Sequence, residues 1–187
     1  MRLVIGITGA SGVQYGIRLT EVLQGRAETY LITTKTARQI IEIESDTSVS
    51  AVEKLATHAP DEHDFTSPVA SGSYLFDAMV IVPCSMKTLA SVANGVSDTL
   101  ITRTADVCLK EGRKLILVPR ETPLSLIHIE NMLRAKRAGA VILPACPGFY
   151  PRPDSIGDVV DIIVGRILDM LGIEHELYER WGLVNTR

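Results

Sequence analysis

The sequence predicts an α/β fold with a doubly wound parallel sheet, and three observations lead there. Five short Val/Ile/Leu-rich runs show no polar alternation, as strands buried on both faces should. Amphipathic stretches at helical spacing separate those runs. The first run also leads straight into a glycine-rich turn, Thr8-Gly9-Ala10-Ser11-Gly12, with a helical pattern behind it.

The elements follow in order. Apolar runs occupy 2–7, 29–33, 78–83, 114–119 and 140–143. Helical stretches occupy 13–24, 36–44, 49–58, 86–93, 99–111 and 125–138, and a last one covers 156–171. Alternation of this kind builds a three-layer, Rossmann-like sheet with right-handed crossovers. One domain over 1–187 is expected, with a C-terminal tail from about 172, and no repeat or low-complexity linker interrupts it. The least regular stretch, 58–73, reads HAPDEHDFTSPVASGS, a surface loop or flap.

Composition excludes several function classes. A chain that is 46% hydrophobic and 22% charged is an ordinary globular one. Its net charge of -3 gives no general attraction to nucleic acid or an anionic membrane. No run approaches the ~20 apolar residues of a membrane span. The first residues lack the basic flank, apolar core and cleavage site of a secretion signal. Cys84, Cys108 and Cys146 are odd in number and far apart, which argues against a disulfide framework. A reducing cytoplasm is expected.

Ligands of such sheets bind beyond the carboxyl ends of the strands, so the loops there carry the argument. The first has glycines at 6, 9 and 12, with Thr8 and Ser11 offering hydroxyls at a helix start. It matches neither G-x-G-x-x-G nor the Walker pattern, and a phosphate loop and a plain strand–helix turn stand level. After the second run, Thr34 suits either a ligand or a helix cap. The acidic residue that a dinucleotide ribose wants there is missing, which leaves room for a mononucleotide.

The third loop, Cys84-Ser85-Met86-Lys87-Thr88, puts a lysine in the first turn of a helix, against the macrodipole unless an anion is bound. Cys84 reads as a buried small hydrophobe rather than a nucleophile, since no His or Asn motif accompanies it. The fourth, Arg120-Glu121-Thr122-Pro123, sets opposite charges side by side at the sheet mouth. Anion binding with proton transfer, and a structural ion pair, both account for it. The fifth carries four prolines around Gly148-Phe149-Tyr150. Arg166 sits among apolar positions of the last helix and needs an anionic partner, for which Asp161 or Asp169 would serve. Thr99, Arg103, Asp106 and Lys110 share one helix side. The patch His58, Asp61, Glu62, His63 and Asp64 fits no standard zinc spacing and reads as a solvated acidic loop, so no metal is expected.

GITGASG at 6–12, SMKTL at 85–89, the helix with Arg103 and Lys110, RETPL at 120–124 and PGFYPRP at 147–153 before Arg166 all occur in order. In these the chain resembles the flavin prenyltransferases of the UbiX type, within the wider group of flavin-binding decarboxylase-like proteins. The likeness runs from Leu3 to the region of Trp181. GASG alone is unspecific; RETPL with F-Y-x-R-P at this spacing is specific.

The resemblance implies transfer of a dimethylallyl group from dimethylallyl phosphate to N5 and C6 of reduced FMN, without a metal. The prenylated FMN would serve a UbiD-type decarboxylase. It implies a homododecamer with active sites shared between subunits. Carried over by position, Gly9, Ala10, Ser11, Thr34, Ser85, Met86, Lys87, Thr88 and Arg120 would hold FMN. Tyr150 and Arg166 would bind the prenyl phosphate together with Arg103 and Lys110. Glu121 would be the acid–base residue, and Glu44 would support Lys110. Arg and Lys would stabilise the leaving phosphate, while Tyr150, Tyr74 and Trp181 offer electron-rich faces to an allylic cation.

Three alternatives stand beside this. An FMN-dependent cysteine decarboxylase of the same fold would want an active-site histidine and an Asn-bearing third loop, where this chain has SMKT. A non-catalytic flavin carrier would not need Glu121, Lys110 and Arg166 together. A nucleotide-binding protein unrelated to flavin is disfavoured by the missing acidic residue after the second run.

Overall fold

A computed structural model describes residues 1–182. Residues 183–187 of the expected tail lie outside the described residues. Strands β1 (Arg2–Ile7), β2 (Glu28–Thr33), β3 (Ala78–Cys84), β4 (Lys114–Pro119) and β5 (Val141–Ile142) form one parallel sheet in the order β2-β1-β3-β4-β5. The chain runs outward from β1 in both directions, so the order reverses between β1 and β3. Brändén's rule puts the ligand crevice there, beyond the strand carboxyl ends.

The central strand β3 is buried along its whole length, which is why it reads as an unbroken apolar run. Met79 and Ile81 pack with Val4, Ile32 and Leu117 in one cluster that also takes Leu89 of α4 (Met86–Ala93) and Leu100, Ile101 and Ala105 of α5 (Leu100–Lys110). α1 (Val13–Leu23) lies close on the sheet, because a Cβ at Gly16 would meet Ile7 and the Val82 carbonyl. α2 (Lys35–Glu44), α3 (Val49–Glu53) and α6 (Leu126–Arg137) complete this part of the molecule.

Contacts divide the chain into two compact units, Met1–Pro144 and Ala145–Arg187. The first holds the sheet and α1–α6. The second holds α7 (Ile156–Leu171) and the segments flanking it.

Three elements depart from expectation. The helix expected over 49–58 stops at Glu53, because His58 instead bridges to the edge strand β2, bonding to Thr29 and Leu31. β5 shrinks to two residues, although the Leu143 amide still donates to Leu117. The 58–73 stretch is no free flap. Its carbonyls at Val69, Ala70 and Gly72 accept from Thr104, Arg103 and Arg113, and Ser67 and Val69 are buried around a 3-10 turn, Pro68–Ala70.

Candidate active site

A cavity of about 650 Å³ opens where the loops after β1, β2, β3 and β4 meet. Gly9, Ala10 and Ser11 line it from the first loop, Thr34, Lys35 and Thr36 from the second, Ser85, Met86, Lys87 and Thr88 from the third, and Arg120 and Glu121 from the fourth. All nine residues expected to hold FMN are thus on one wall system, with Glu121 beside them.

Thr8 ties the two central loops together. Its buried hydroxyl donates to the Pro83 carbonyl (2.8 Å) and accepts from the Ser85 amide (2.8 Å). The first and third loops are therefore held in fixed register at the switch point. Gly9 lets the second loop come close: a Cβ there would stand 2.7 Å from Thr36 Cγ2 and 2.9 Å from Thr36 Cβ. Here glycine is required for approach rather than for flexibility.

Three helices begin at these loops, and their first turns differ. Thr34 caps α2 by accepting from Ala37, and Ser85 caps α4 by accepting from Thr88. α1 has no such cap; Gly12 enters it at φ 98°. A distant carboxylate takes its place, Glu44 Oε2 accepting from the amides of Gly12 (2.8 Å) and Val13 (3.4 Å). Of the two readings left level for the glycine-rich turn, the amides that a phosphate loop would offer at the start of α1 are taken by the protein itself. At α2 and α4 the first turns carry Lys35 and Lys87, both exposed at the cavity.

Arg120 reaches back across the cavity mouth, its Nε donating to the Ser11 carbonyl (3.0 Å). Glu121 is exposed and accepts from the Thr122 amide (2.9 Å). Among the described residues these two neighbours form no ion pair with each other, which removes the structural-pair account of this dipeptide. Cys84 is fully buried, and burial pushes its thiol up to about 12, so it is no nucleophile at neutral pH.

Four expected residues of this unit stay off the cavity of their own chain. Arg103 pairs with Asp106 (2.9 Å) and donates to the Ala70 carbonyl (3.0 Å), and Lys110 pairs with Glu111 (3.0 Å). Glu44 meets Gly12 rather than Lys110. Tyr74 sits at the amino end of the sheet, bonded to the Tyr30 hydroxyl (2.7 Å) and under Arg2, not beside the cavity.

The cavity also takes residues to which the sequence assigns no part in the site, and it corrects the reading of the acidic loop as merely solvated. Glu62 and His63 line it, and the Glu62 carboxylate accepts from the Lys35 amide (2.5 Å) while its carbonyl accepts from Leu100 (2.7 Å). Asp98, Thr99 and Thr102 line it from the start of α5. Strand-end reasoning does not reach α5, which follows α4 with no strand between; only the Thr99 capping box hints at it.

In the second unit, Tyr150 and Arg166 carry the expected donor site. Tyr150 meets Trp181 edge to face, ring centroids 5.4 Å apart. Arg166 is exposed despite its apolar sequence neighbours, and of the two candidate partners it takes Asp169 (3.5 Å). Asp169 is the carboxylate most displaced from its ordinary value. Its hydrogen bond from Arg180 first, then that from Tyr178, hold it down at about 2 against some burial. Among the described residues no cluster of three or more His, Cys, Asp or Glu is placed to hold a metal, and no helix is long and apolar enough to cross a membrane.

Comparison with known proteins bears directly on this geometry. The Flavoprotein family model matches residues 1–168. A flavin prenyltransferase UbiX from Methanocaldococcus jannaschii is 51% identical over 184 residues, covering 98% of this chain and 100% of the relative. The crystal structure of AnUbiX (PadA1) in complex with FMN and dimethylallyl pyrophosphate superposes with a TM-score of 0.95 at 48% identity, covering 96% of each chain. A dodecameric FMN-dependent UbiX-like decarboxylase from Escherichia coli O157:H7 gives 0.95 at 45% identity, covering 97% of this chain and 99% of that one. With half its residues shared along full-length relatives, and a cavity built at the same strand ends that the motifs mark, the chain belongs to the Flavoprotein family and, within it, to the UbiX flavin prenyltransferases.

Proposed function

We propose that the chain joins a dimethylallyl group from dimethylallyl phosphate to N5 and C6 of reduced FMN, with the flavin held in the first unit's cavity. The observation that carries this reading is the convergence of nine residues from four separate loops on that one cavity. Its volume, about 650 Å³, suits a ligand of this size. The side chains of Lys35, Lys87 and Arg120 line it in no ion pair among the described residues, which suits a phosphate dianion near the start of α4, the Lys35 amide at the start of α2 being taken by Glu62.

Reduced flavin supplies an electron-rich N5 and C6 to an allylic cation; the protein's part is to make that cation and hold it. Tyr150 and Arg166 bind the donor phosphate. Arg166 and the lysine and arginine of α5 stabilise the charge that builds on the leaving oxygen. Glu121, at the cavity rim, would give a proton to the leaving phosphate, a better leaving group once protonated. After the first bond to N5 a proton must also reach the remaining prenyl double bond so that C6 can attack it, and Glu121 can take the proton that C6 then loses.

The site is completed by neighbouring copies. Arg103 and Lys110 face away from their own cavity, while Glu44 stands at Gly12 beside it, where Lys110 of a neighbouring copy would pair. α6 exposes Leu126, Ile127, Ile129 and Leu133, an apolar surface suited to subunit contact. A homododecamer like the E. coli relative's fits these features, and a UbiD-type decarboxylase would receive the product. The test is anaerobic: reduced FMN, enzyme and either dimethylallyl phosphate or the pyrophosphate, with mass detection of the flavin. A flavin heavier by one prenyl group, formed faster from the monophosphate, is expected. Unchanged FMN with both donors would overturn the reading.

A further inference from the structure

The second unit contains a side-chain cluster that the reading above leaves unused. Asp169 lies one turn beyond Arg166 on α7 and gathers four side chains. Arg180 donates to it through both terminal nitrogens (2.7 and 3.1 Å), Tyr178 through its hydroxyl (2.9 Å) and Arg166 through Nη1 (3.5 Å), and His175 Nε2 stands at 3.1 Å. Three of the four come from the segment after α7, which Gly172 turns back at φ 73°.

That segment presses on the helix. A Cβ at Gly165 would stand 2.6 Å from both the His175 and Tyr178 rings, so a small residue is needed one position before Arg166. The His175 side chain is only 2% exposed. Beyond Arg180 the chain delivers Trp181 against Tyr150, the rings at 89°. Asp169 therefore touches Arg166 directly and reaches Tyr150 through the segment it anchors. One carboxylate between two guanidinium groups still leaves a net positive charge for an anionic donor.

We propose that Asp169 is the positioning residue of the donor subsite: it anchors the segment 174–181 over α7, so that Trp181 braces Tyr150 and the Arg166 side chain is restrained before the donor arrives. This rests on the reading of Tyr150 and Arg166 as donor-binding residues. Arginine loses much rotamer freedom when it binds, and a side chain ordered in advance binds with less of that cost.

Trp181 is the chain's single tryptophan, so its fluorescence anisotropy reports the anchoring without a label. Asp169→Asn keeps the shape and removes the charge. Arg180→Ala, on an exposed residue, serves as the second variant if the first fails to fold. In the full-length enzyme both should lower Trp181 anisotropy and raise KM for dimethylallyl phosphate about tenfold, the scale of a lost charged hydrogen bond. kcat should change by less than about threefold and FMN titration should be unaltered. Wild-type KM in both variants overturns the proposal, whether or not Trp181 is released. Arg166→Ala and Tyr150→Phe test the underlying reading separately. If those two leave donor KM unchanged, the donor subsite lies elsewhere and the proposal falls with it, while the Trp181 signal still shows whether the anchor exists.

Discussion

The cations of the cavity and the cations of α7 are held in opposite ways. Lys35, Lys87 and Arg120 line the cavity with no ion pair among the described residues, and both lysines sit in a first helical turn where the macrodipole opposes them. Arg166 and Arg180 instead share Asp169. The first arrangement is unfavourable while empty, so it gains most when a phosphate enters. The second is settled in the empty protein and gains by keeping its geometry. Affinity for the flavin should therefore reside in the cavity, and orientation of the donor in the second unit.

The largest expected effect breaks catalysis while leaving both kinds of cation intact. Glu121→Gln should slow prenyl transfer by about 100-fold or more, the usual scale for acid–base groups, with FMN titration near wild type. A wild-type rate would reduce Glu121 to a brace for the Thr122 amide in its own turn.

A mixing experiment asks whether the cavity is completed from outside its own chain. Glu121→Gln and Arg103→Ala subunits, each inactive alone, should regain activity when co-assembled in equal amounts. Sites drawing the two residues from different chains would be whole in about a quarter of cases. No recovery would mean that Arg103 serves its own chain, against its position beside Ala70 and Asp106.

Smaller effects sharpen the contrast. Gly9→Ala pushes a Cβ against Thr36 and should destabilise the protein by about 1–3 kcal/mol, weakening FMN binding as α2 is displaced. Thermal melts with and without FMN would check it, and an unshifted melt would mean that the loop gives way freely. Asp169 offers a pH test. Its carboxyl is held below its usual range, to about 2, chiefly by Arg180, so its stabilising contribution is present above the unfolded value near 3.9 and lost as pH falls through about 2. Arg166, His175 and Tyr178 face the same carboxylate. Trp181 should loosen between about pH 4 and 2, and at higher pH in Arg180→Ala. A wild-type acid midpoint equal to the variant's would deny Arg180 that role.

Much of this was legible because both faces of the strands are covered: β1 and β4 were readable to the residue from apolar runs alone. The strand-end rule then found the cavity wall. What escaped were contacts made by polar side chains across long sequence distances. Nothing in GASG says that Glu44 would take the α1 amides, and nothing in the acidic loop says that Glu62 would bond to Lys35. Such pairings depend on where two loops meet, and they leave no local periodicity. Arg166 was singled out for its apolar neighbours, yet α7 turns it outward to Asp169.

The central claim is that the cavity holds flavin through its phosphate, and comparing FMN with riboflavin tests it most directly. Fluorescence titration of wild type, Lys87→Ala and Arg120→Ala with both flavins separates the phosphate from the ring. Wild type should prefer FMN by at least about 100-fold, and each variant should narrow that preference about tenfold while riboflavin affinity stays fixed. Lys87→Ala should also melt slightly higher than wild type when empty, since it relieves a charge set against the helix dipole. Equal affinity for FMN and riboflavin, or a preference untouched in both variants, would contradict the account.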